Sequence, residues 1–318
     1  MYKSEVSHMD ELGARAARFD SAVLLLPHGL RERARRLTLS ERASCEELRL
    51  RTGRPLTAVT PAGERPLGGE PVTAREIDAL LDIATGASAY SARDSMRGGY
   101  LTVRGGFRVG LCGTVLLRDG RAAGFKTVTS AAIRISRQIR DAADPVFGPL
   151  CRDGAICSTL VVSPPGGGKT TLLRELVRRV SDGEGAEPMR VALVDERSEL
   201  AALFDGKPCM DVGSRTDVLD SCPRAEGITM LLRAMNPQVI AFDEITAAED
   251  CAAAEAASRC GVRLLASAHA DSPRDLREKA MYRALFEDGV FEKAAVIGSA
   301  GGRRQYRVLD AGEVLHGL

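Results

Sequence analysis

The feature that most constrains this chain is a glycine-rich segment between an apolar run and an amphipathic one. Residues 159–162 read Thr-Leu-Val-Val, and residues 163–170 continue directly with Ser-Pro-Pro-Gly-Gly-Gly-Lys-Thr. Apolar residues then recur with the period of a helix, on one of its sides, as far as position 180. A strand, a glycine loop and a helix in this order predict a phosphate-binding P-loop, because glycines let successive N–H groups face one phosphate at the positive end of the helix.

The residues of this loop have separate expected roles. Backbone donors are expected from Gly166 onward, since the two prolines before it lack an N–H. Lys169 is expected to bridge the β- and γ-phosphates of ATP, and the Thr170 hydroxyl to coordinate Mg²⁺. The predicted nucleotide-binding set of the loop is Pro165, Gly166, Gly167, Gly168, Lys169, Thr170 and Thr171. The alternative is a glycine-rich turn with a solvated lysine. The sequence contains no Asn-Lys-x-Asp element, which would read guanine, so GTP is not expected.

Three further apolar runs predict buried parallel strands. They cover residues 191–194, 239–242 and 263–266, and each is too continuous for a strand with one solvated face. The sequence therefore predicts, over residues 141–318, an α/β domain with the mostly parallel sheet of a RecA/AAA-like P-loop NTPase. Residues 141–149, with two prolines and an alanine pair, are predicted to be the linker that precedes its first strand.

Residues 1–140 have a different pattern and predict a smaller N-terminal α+β domain. Short alternating segments at 48–51, 100–103 and 107–109 predict strands, and Asp119-Gly120 predicts a tight hairpin turn. Thr73 and Glu76 form a capping-box pattern that opens a helix ending at about Ala84.

Two acids follow the run at 239–242. Asp243 is expected to hold Mg²⁺, and Glu244 to orient and partly deprotonate the attacking water, assistance worth roughly 10²- to 10⁴-fold in rate. This arrangement favours hydrolysis over nucleotide storage. In the alternative, the acids belong to the start of the next helix, where Thr246 and Glu249 form a capping-box pattern.

Two other strand ends carry polar residues. His269 follows the run at 263–266, beside the expected γ-phosphate position, where an imidazole could sense that phosphate. A hydrogen-bonded structural histidine is the alternative. Asp195 and Glu196 begin a charged cluster after the run at 191–194 and are predicted to line the site, with solvated acids of a helix start as the alternative.

Five arginines are candidates for contact with the nucleotide. An arginine from a neighbouring subunit can stabilise transition-state charge by roughly 10³- to 10⁵-fold in related phosphoryl-transfer systems. Arg215, Arg224 and Arg233 are considered for that role, whereas Arg134 and Arg137 could reach a nucleotide across a cleft between the domains. Surface ion pairs are the alternative for Arg215, Arg224 and Arg233.

Composition excludes several other classes of function. Forty-four basic residues against 43 acidic ones give a net charge of +1, and there is no tryptophan, so neither bulk charge nor a ring-lined groove would hold nucleic acid. The eight cysteines have no C-x-x-C spacing, and we expect buried, reduced thiols. No run approaches 18 apolar residues, so any membrane role is expected to depend on a partner.

Motifs over nearly the whole chain also carry a family resemblance. They are Glu47–Arg51 with Gly53–Leu56, Gly99–Thr102, Gly106–Gly110, Ser163–Gly166 with Gly168–Arg174, Val194–Glu199, Arg215–Asp220, Cys222–Gly227 and Asp243–Ile245. With these motifs the chain resembles the stage III sporulation protein AA family, ATPases similar to those of secretion and pilus retraction. Ser163, where the strict loop pattern has glycine, is a feature of that family. Thr246 departs from it, since a glycine usually follows the isoleucine.

The resemblance implies more than the residues alone do. It implies an ATP-hydrolysing motor, working as a homo-hexameric ring, that powers or gates a membrane channel assembly during endospore formation. Membrane proteins of that assembly would be its partners and would hold it on the cytoplasmic face of the mother cell. In relatives, an acidic box corresponds to Asp195-Glu196 and a histidine box to His269.

Two other functions remain open from the sequence. A nucleotide-gated scaffold would use ATP binding to order an oligomer, with hydrolysis incidental. A nucleic-acid-translocating ATPase would draw on the arginine-rich residues 31–36, which also fit one solvated face of a helix.

Overall fold

The computed structural model describes residues 12–13, 15–86, 98–136, 138–300 and 303–317. The chain divides into two compact units. The first comprises Met1–Arg137 with Phe204–Cys209, and the second comprises Gln138–Leu203 with Met210–Leu318. The sequence patterns do not predict that residues 204–209 belong to the first unit.

The first unit contains, in its described part, a six-stranded sheet with the order β3-β2-β1-β6-β5-β4. All neighbouring strands pair antiparallel. The strands are β1 Glu47–Arg51, β2 Thr57–Thr60, β3 Gly63–Pro66, β4 Tyr100–Val103, β5 Phe107–Arg118 and β6 Arg121–Arg134. The helical segments are residues 15–22, the 3₁₀ turn Val23–Leu25, His28–Arg35, Leu39–Ser44 and Ala74–Thr85.

Side chains along the strands of the first unit alternate between its hydrophobic core and the opposite face of the sheet. Leu48 and Leu50 on β1 are fully buried, whereas Arg49 between them faces outward, so the core lies on one face of the sheet. The predicted capping box is confirmed, because the Thr73 hydroxyl accepts from Glu76 N at 3.2 Å and Thr73 N donates to Glu76 Oε2 at 2.8 Å. The predicted turn at Asp119-Gly120 joins β5 to β6 and is also confirmed.

The second unit contains, over its described residues, a seven-stranded sheet with the order β13-β10-β14-β15-β9-β16-β17. Its first six strands run parallel, and β17 returns antiparallel to β16. The strands are β9 Thr159–Ser163, β10 Val191–Asp195, β13 Thr216–Asp220, β14 Val239–Phe242, β15 Arg263–His269, β16 Lys293–Ala300 and β17 Arg303–Asp310. A short hairpin of this unit pairs β7 Cys151–Arg152 with β8 Ala155–Ile156. Another short hairpin pairs β11 Leu203–Phe204 with β12 Lys207–Pro208, and its residues from Phe204 onward belong to the first unit.

The helices of the second part of the chain flank this sheet. They are Phe147–Leu150, Lys169–Asp182, Arg224–Ala234, Ala248–Arg259, Pro273–Glu278, Ala280–Glu287 and Ala311–His316. All four predicted strands are confirmed. Alternate residues of each strand enter different hydrophobic clusters: Leu160 and Val162 pack in one, and Val161 packs in the other. The sheet is therefore buried on both faces, which explains why its strand sequences are continuously apolar.

Two predictions are wrong. Residues 141–149 are not a linker, because Ala143, Val146 and Phe147 are buried in the core of the second unit at helical spacing. The cysteines are not all buried, because Cys112 and Cys260 are exposed. None of the helices within the described ranges has the length and apolar composition of a bilayer-spanning segment.

Candidate functional site

The glycine loop after β9 is shaped to leave donors open. Gly166 and Gly168 have φ values of +73° and +104°, and a Cβ on Gly167 would lie 2.3 Å from Ser163 Oγ, so all three positions require glycine. Gly167 N donates to Pro164 O at 3.1 Å, whereas the N–H groups of Gly166 and Gly168 have no acceptor among the described residues. No side chain caps the helix Lys169–Asp182. The loop and the first helical turn therefore present several free N–H groups, which fit an anion.

Lys169 is folded back over this loop. Its Nζ donates to Ser163 O at 3.0 Å and to Pro164 O at 3.4 Å, and it lies 2.8 Å from His269 Nδ1. Burial lowers the pKa of Lys169, and the carboxylates of Asp243 and Glu244 oppose that shift. The ammonium is thus held at the loop by two backbone carbonyls and the His269 ring.

Asp243, at the end of β14, meets the start of the same helix. Thr170 Oγ1 donates to Asp243 Oδ2 at 3.1 Å, so a hydroxyl and a carboxylate lie side by side. Such a pair suits Mg²⁺, which usually takes one or two protein oxygens and completes its shell with water and substrate phosphates. The described residues contain no cluster of three or more His, Cys, Asp or Glu side chains that could hold a metal without a substrate.

Ser267 on β15 joins the two predicted catalytic acids, and sequence reasoning missed it. Its buried hydroxyl donates to Asp243 Oδ1 and accepts from Glu244 N, the latter at 3.0 Å. The available signal was a single polar residue inside the apolar run of β15, one position before Ala268.

Glu244 has partners on both carboxylate oxygens. His269 Nε2 lies 2.8 Å from Oε1, and Arg197 Nη1 donates to Oε2 at 3.0 Å. The backbone of Glu244 is left-handed, with φ at +45°, which is uncommon for a residue with a side chain and is found at strained functional positions. Lys169, His269, Glu244 and Arg197 form a continuous row because β15 lies between β14 and β9 in the sheet.

Asp195 has a different environment from the one predicted for a site-lining acid. It is 1% exposed, and burial raises its pKa, opposed by hydrogen bonds from backbone N–H groups. The N–H donors to the Asp195 carboxylate, at 2.8–3.1 Å, are those of Glu199, Leu200, Ala201 and Ala202. Arg174, from the helix after the glycine loop, binds the same segment by donating to the carbonyl of Leu200 at 2.7 Å. Asp195 therefore anchors the loop that carries Glu196 and Arg197, and its catalytic assignment stays a prediction.

Arg224 is part of an ion-pair network. Its guanidinium lies 2.7 Å from Glu196 Oε2 and 3.4 Å from Asp250 Oδ2. Asp250 also accepts from Thr246 N and from Ala247 N. The helix Ala248–Arg259 is therefore capped by Asp250, and the predicted capping pair of Thr246 with Glu249 is wrong. The ion-pair alternative for Arg224 is the arrangement observed.

Two of the remaining candidate arginines, Arg215 and Arg233, lie away from the glycine loop within the second unit. Arg215 is exposed and precedes β13, at the amino end of the sheet, whereas the loop lies at the carboxyl end. Arg233 is exposed near the end of the helix that leads to the amino end of β14. Arg134 lies on β6 of the first unit, with Nε 3.5 Å from Glu47 Oε1, and Arg137 lies outside the described residues. Action of these arginines on a nucleotide stays a prediction.

The fold described above is shared with solved ATPases, one of which is a pilus retraction motor. The ATPase DotB of Yersinia pseudotuberculosis matches with a TM-score of 0.61 at 14% identity, covering 92% of this chain and 85% of that one. The pilus retraction motor PilT, solved with bound ADP, matches with a TM-score of 0.59 at 15% identity, covering 86% of this chain and 82% of that one. The class is therefore a mixed α/β protein with a mostly parallel sheet and the fold of these ATPases.

The sequence defines the family more narrowly. The model of the family "Sporulation stage III, protein AA" matches residues 21–310, and the chain belongs to that family. Stage III sporulation protein AA of Bacillus subtilis (strain 168) is 35% identical over 285 residues, which cover 87% of this chain and 90% of that protein. The resemblance predicted from the motifs is confirmed.

Proposed function

We propose that this protein is a Mg²⁺-dependent ATPase, a RecA/AAA-like P-loop NTPase that acts as a motor of the secretion-ATPase type. The observation that carries the proposal is the convergence of Lys169, Thr170, Asp243, Glu244 and His269 around one loop with free N–H groups. Membership of the sporulation family and the shared fold with PilT support a role in powering or gating a membrane channel assembly during endospore formation.

Different residues of the site bind the phosphates and Mg²⁺ in the proposed reaction. Free N–H groups of the loop and the first helical turn bind the phosphates. Lys169 leaves Ser163 O and His269 and binds the terminal phosphates, while Thr170 and Asp243 hold Mg²⁺. When bound, ATP would supply the phosphoryl group, and Mg²⁺ would neutralise the negative charge that develops on it.

Glu244 is the proposed general base, and two side chains orient its carboxylate. Arg197 and His269 each contact one carboxylate oxygen, and the second lone pair of each oxygen stays available to accept a proton from water. Transfer of Lys169 to the phosphates removes one hydrogen-bond partner of His269 and frees the imidazole to turn toward the γ-phosphate. In this scheme the His269 ring couples the presence of that phosphate to the orientation of the Glu244 carboxylate.

The proposed assembly is a homo-hexamer. Arg215 or Arg233 would act on the nucleotide of a neighbouring subunit. Arg134 or Arg137 would approach the nucleotide from the first unit. The ring would sit on the cytoplasmic face of the mother cell, held at the membrane by channel proteins.

Glu244→Gln separates binding from hydrolysis. The amide keeps the size of the side chain but cannot accept a proton, so the variant should bind Mg-ATP like the parent and hydrolyse it about 10²- to 10⁴-fold more slowly. Glu249→Gln is the matched control, since Glu249 is an exposed acid at the start of the next helix, and it should leave turnover unchanged. Equal turnover in Glu244→Gln would remove Glu244 from the base role.

A scaffold gated by nucleotide is the second candidate, favoured by the fact that both carboxylate oxygens of Glu244 contact basic side chains in this conformation. It predicts that Glu244→Gln supports sporulation as well as the parent does, while Lys169→Ala does not. The motor proposal predicts that both variants fail to support sporulation.

The proposed function does not include translocation of nucleic acid. In the arginine-rich segment, Arg31 donates to the carbonyls of Leu24 and Leu26, and Arg33 donates to the carbonyl of Glu70. These guanidinium groups therefore stabilise the first unit.

A further inference from the structure

An arginine near the end of the chain lies against the glycine loop. Because β16 runs parallel to β9, its carboxyl end and the start of β17 lie at the same edge of the sheet as the loop. Arg304, the second residue of β17, pairs in register with Ser299 at that edge. The arginine therefore reaches the loop from a hairpin more than 130 residues further along the chain.

The guanidinium of Arg304 is packed on Gly168. A Cβ on Gly168 would lie 3.0 Å from Cζ of Arg304 and 3.2 and 3.3 Å from its two terminal nitrogens. These nearly equal distances mean that the guanidinium faces Gly168 broadside, about 4.5 Å or less from its Cα once the Cα–Cβ bond of about 1.5 Å is added. Gly168 is also the residue whose free N–H and left-handed backbone help to form the anion-binding loop.

Arg304 differs from the other basic residues around the site. Lys169 is held by Ser163 O and His269, Arg197 by Glu244, and Arg224 by Glu196. Within the part of the chain that the structure describes, no carboxylate or carbonyl pairs with the guanidinium of Arg304. An unpaired cation thus rests on a loop that is built to receive an anion.

We infer that Arg304 binds, within its own subunit, the α- and β-phosphates of the nucleotide held on this loop. The inference rests on the proposed function. Backbone N–H groups of such loops cradle the α- and β-phosphates, whereas the loop lysine extends to the β- and γ-phosphates. A guanidinium that packs on Gly168 is therefore closest to the phosphates that ADP and ATP share, and its planar fork can bind two phosphate oxygens at once.

The test is equilibrium binding of ADP and of ATP to the full-length protein in the presence of Mg²⁺. Arg304→Ala should weaken the affinity for both nucleotides by about 10- to 100-fold, the range for loss of a hydrogen bond to a charged group. Arg304→Lys keeps the charge without the fork and should fall between the parent and Arg304→Ala. Gln305→Ala, at the next exposed position of β17, and Arg283→Ala, which removes another exposed guanidinium, should bind both nucleotides like the parent.

Each result has one interpretation. An ADP affinity unchanged in Arg304→Ala, or a loss confined to ATP, would overturn the assignment. Failure of the parent itself to bind either nucleotide would instead overturn the proposed ATPase function. Melting temperatures without nucleotide should be the same for Arg304→Ala and the parent, because the side chain is exposed and unpaired, and a large drop in the variant would show a structural role instead.

Discussion

At the scale of single residues, the site depends on side chains that act through others. Ser267 is the clearest example, because one hydroxyl fixes both the carboxylate of Asp243 and the backbone of Glu244. The strained φ of Glu244 persists only if surrounding contacts hold it, and the bond to Ser267 is such a contact. The chemistry proposed for the two acids therefore depends on a third residue that positions both of them.

Ser267→Ala should lower both stability and turnover. The substitution leaves the partly buried N–H of Glu244 without its acceptor, which costs about 1–3 kcal/mol in the free energy of unfolding. Displacement of both acids should lower kcat about tenfold or more, with a smaller effect on ADP affinity. Ser158→Ala is the matched control, since Ser158 Oγ accepts from Leu264 N at 3.2 Å at the far end of the same strand. It should lose similar stability with kcat unchanged, and a similar fall in kcat in both variants would contradict the positioning role of Ser267.

At the scale of elements, local sequence patterns predict which segments form strands. Contacts between residues that are distant in the sequence cannot be predicted from such patterns. Continuous apolar runs predict the four parallel strands because burial on both faces removes polar residues from them. Residues 141–149 contain two prolines that favour a linker, but three apolar side chains at helical spacing bury there. Arg304 could not be predicted, because only the antiparallel return of β17 brings it to Gly168.

The loop after β10 is expected to depend on the carboxylate of Asp195. Asp195→Asn would set an amide N–H₂ against backbone N–H donors that now bind a carboxylate. The free energy of unfolding should fall by about 1–3 kcal/mol or more, because at least one buried donor loses its acceptor. The loop carries Arg197 to Glu244, so turnover should change as well. Asp217→Asn on the adjacent strand β13, where the carboxylate is exposed, should change neither quantity, and equal stability of Asp195→Asn and the parent would contradict the anchor role.

At the scale of the whole molecule, the two units have separate hydrophobic cores. The cluster of the first unit includes Cys45, and one cluster of the second unit includes Cys251. Apart from Arg134 and Arg137, the proposed nucleotide contacts all belong to the second unit. Ligand binding stabilises whatever cooperative unit contains the site by RT ln(1 + [L]/Kd), so the units need not respond equally.

Thiol labelling can measure this difference in the intact chain. Both Cys45 and Cys251 are buried, and burial raises the pKa of Cys251 to about 11, so labelling at neutral pH requires opening of the surrounding core. In Glu244→Gln, ATP at 100 times its Kd should slow labelling of Cys251 about 100-fold and change labelling of Cys45 little. Cys112→Ser and Cys260→Ser remove the exposed thiols, which would otherwise react first. Equal slowing at both buried thiols would mean that the units open as one, and no slowing at Cys251 would mean that its core opens without release of the nucleotide.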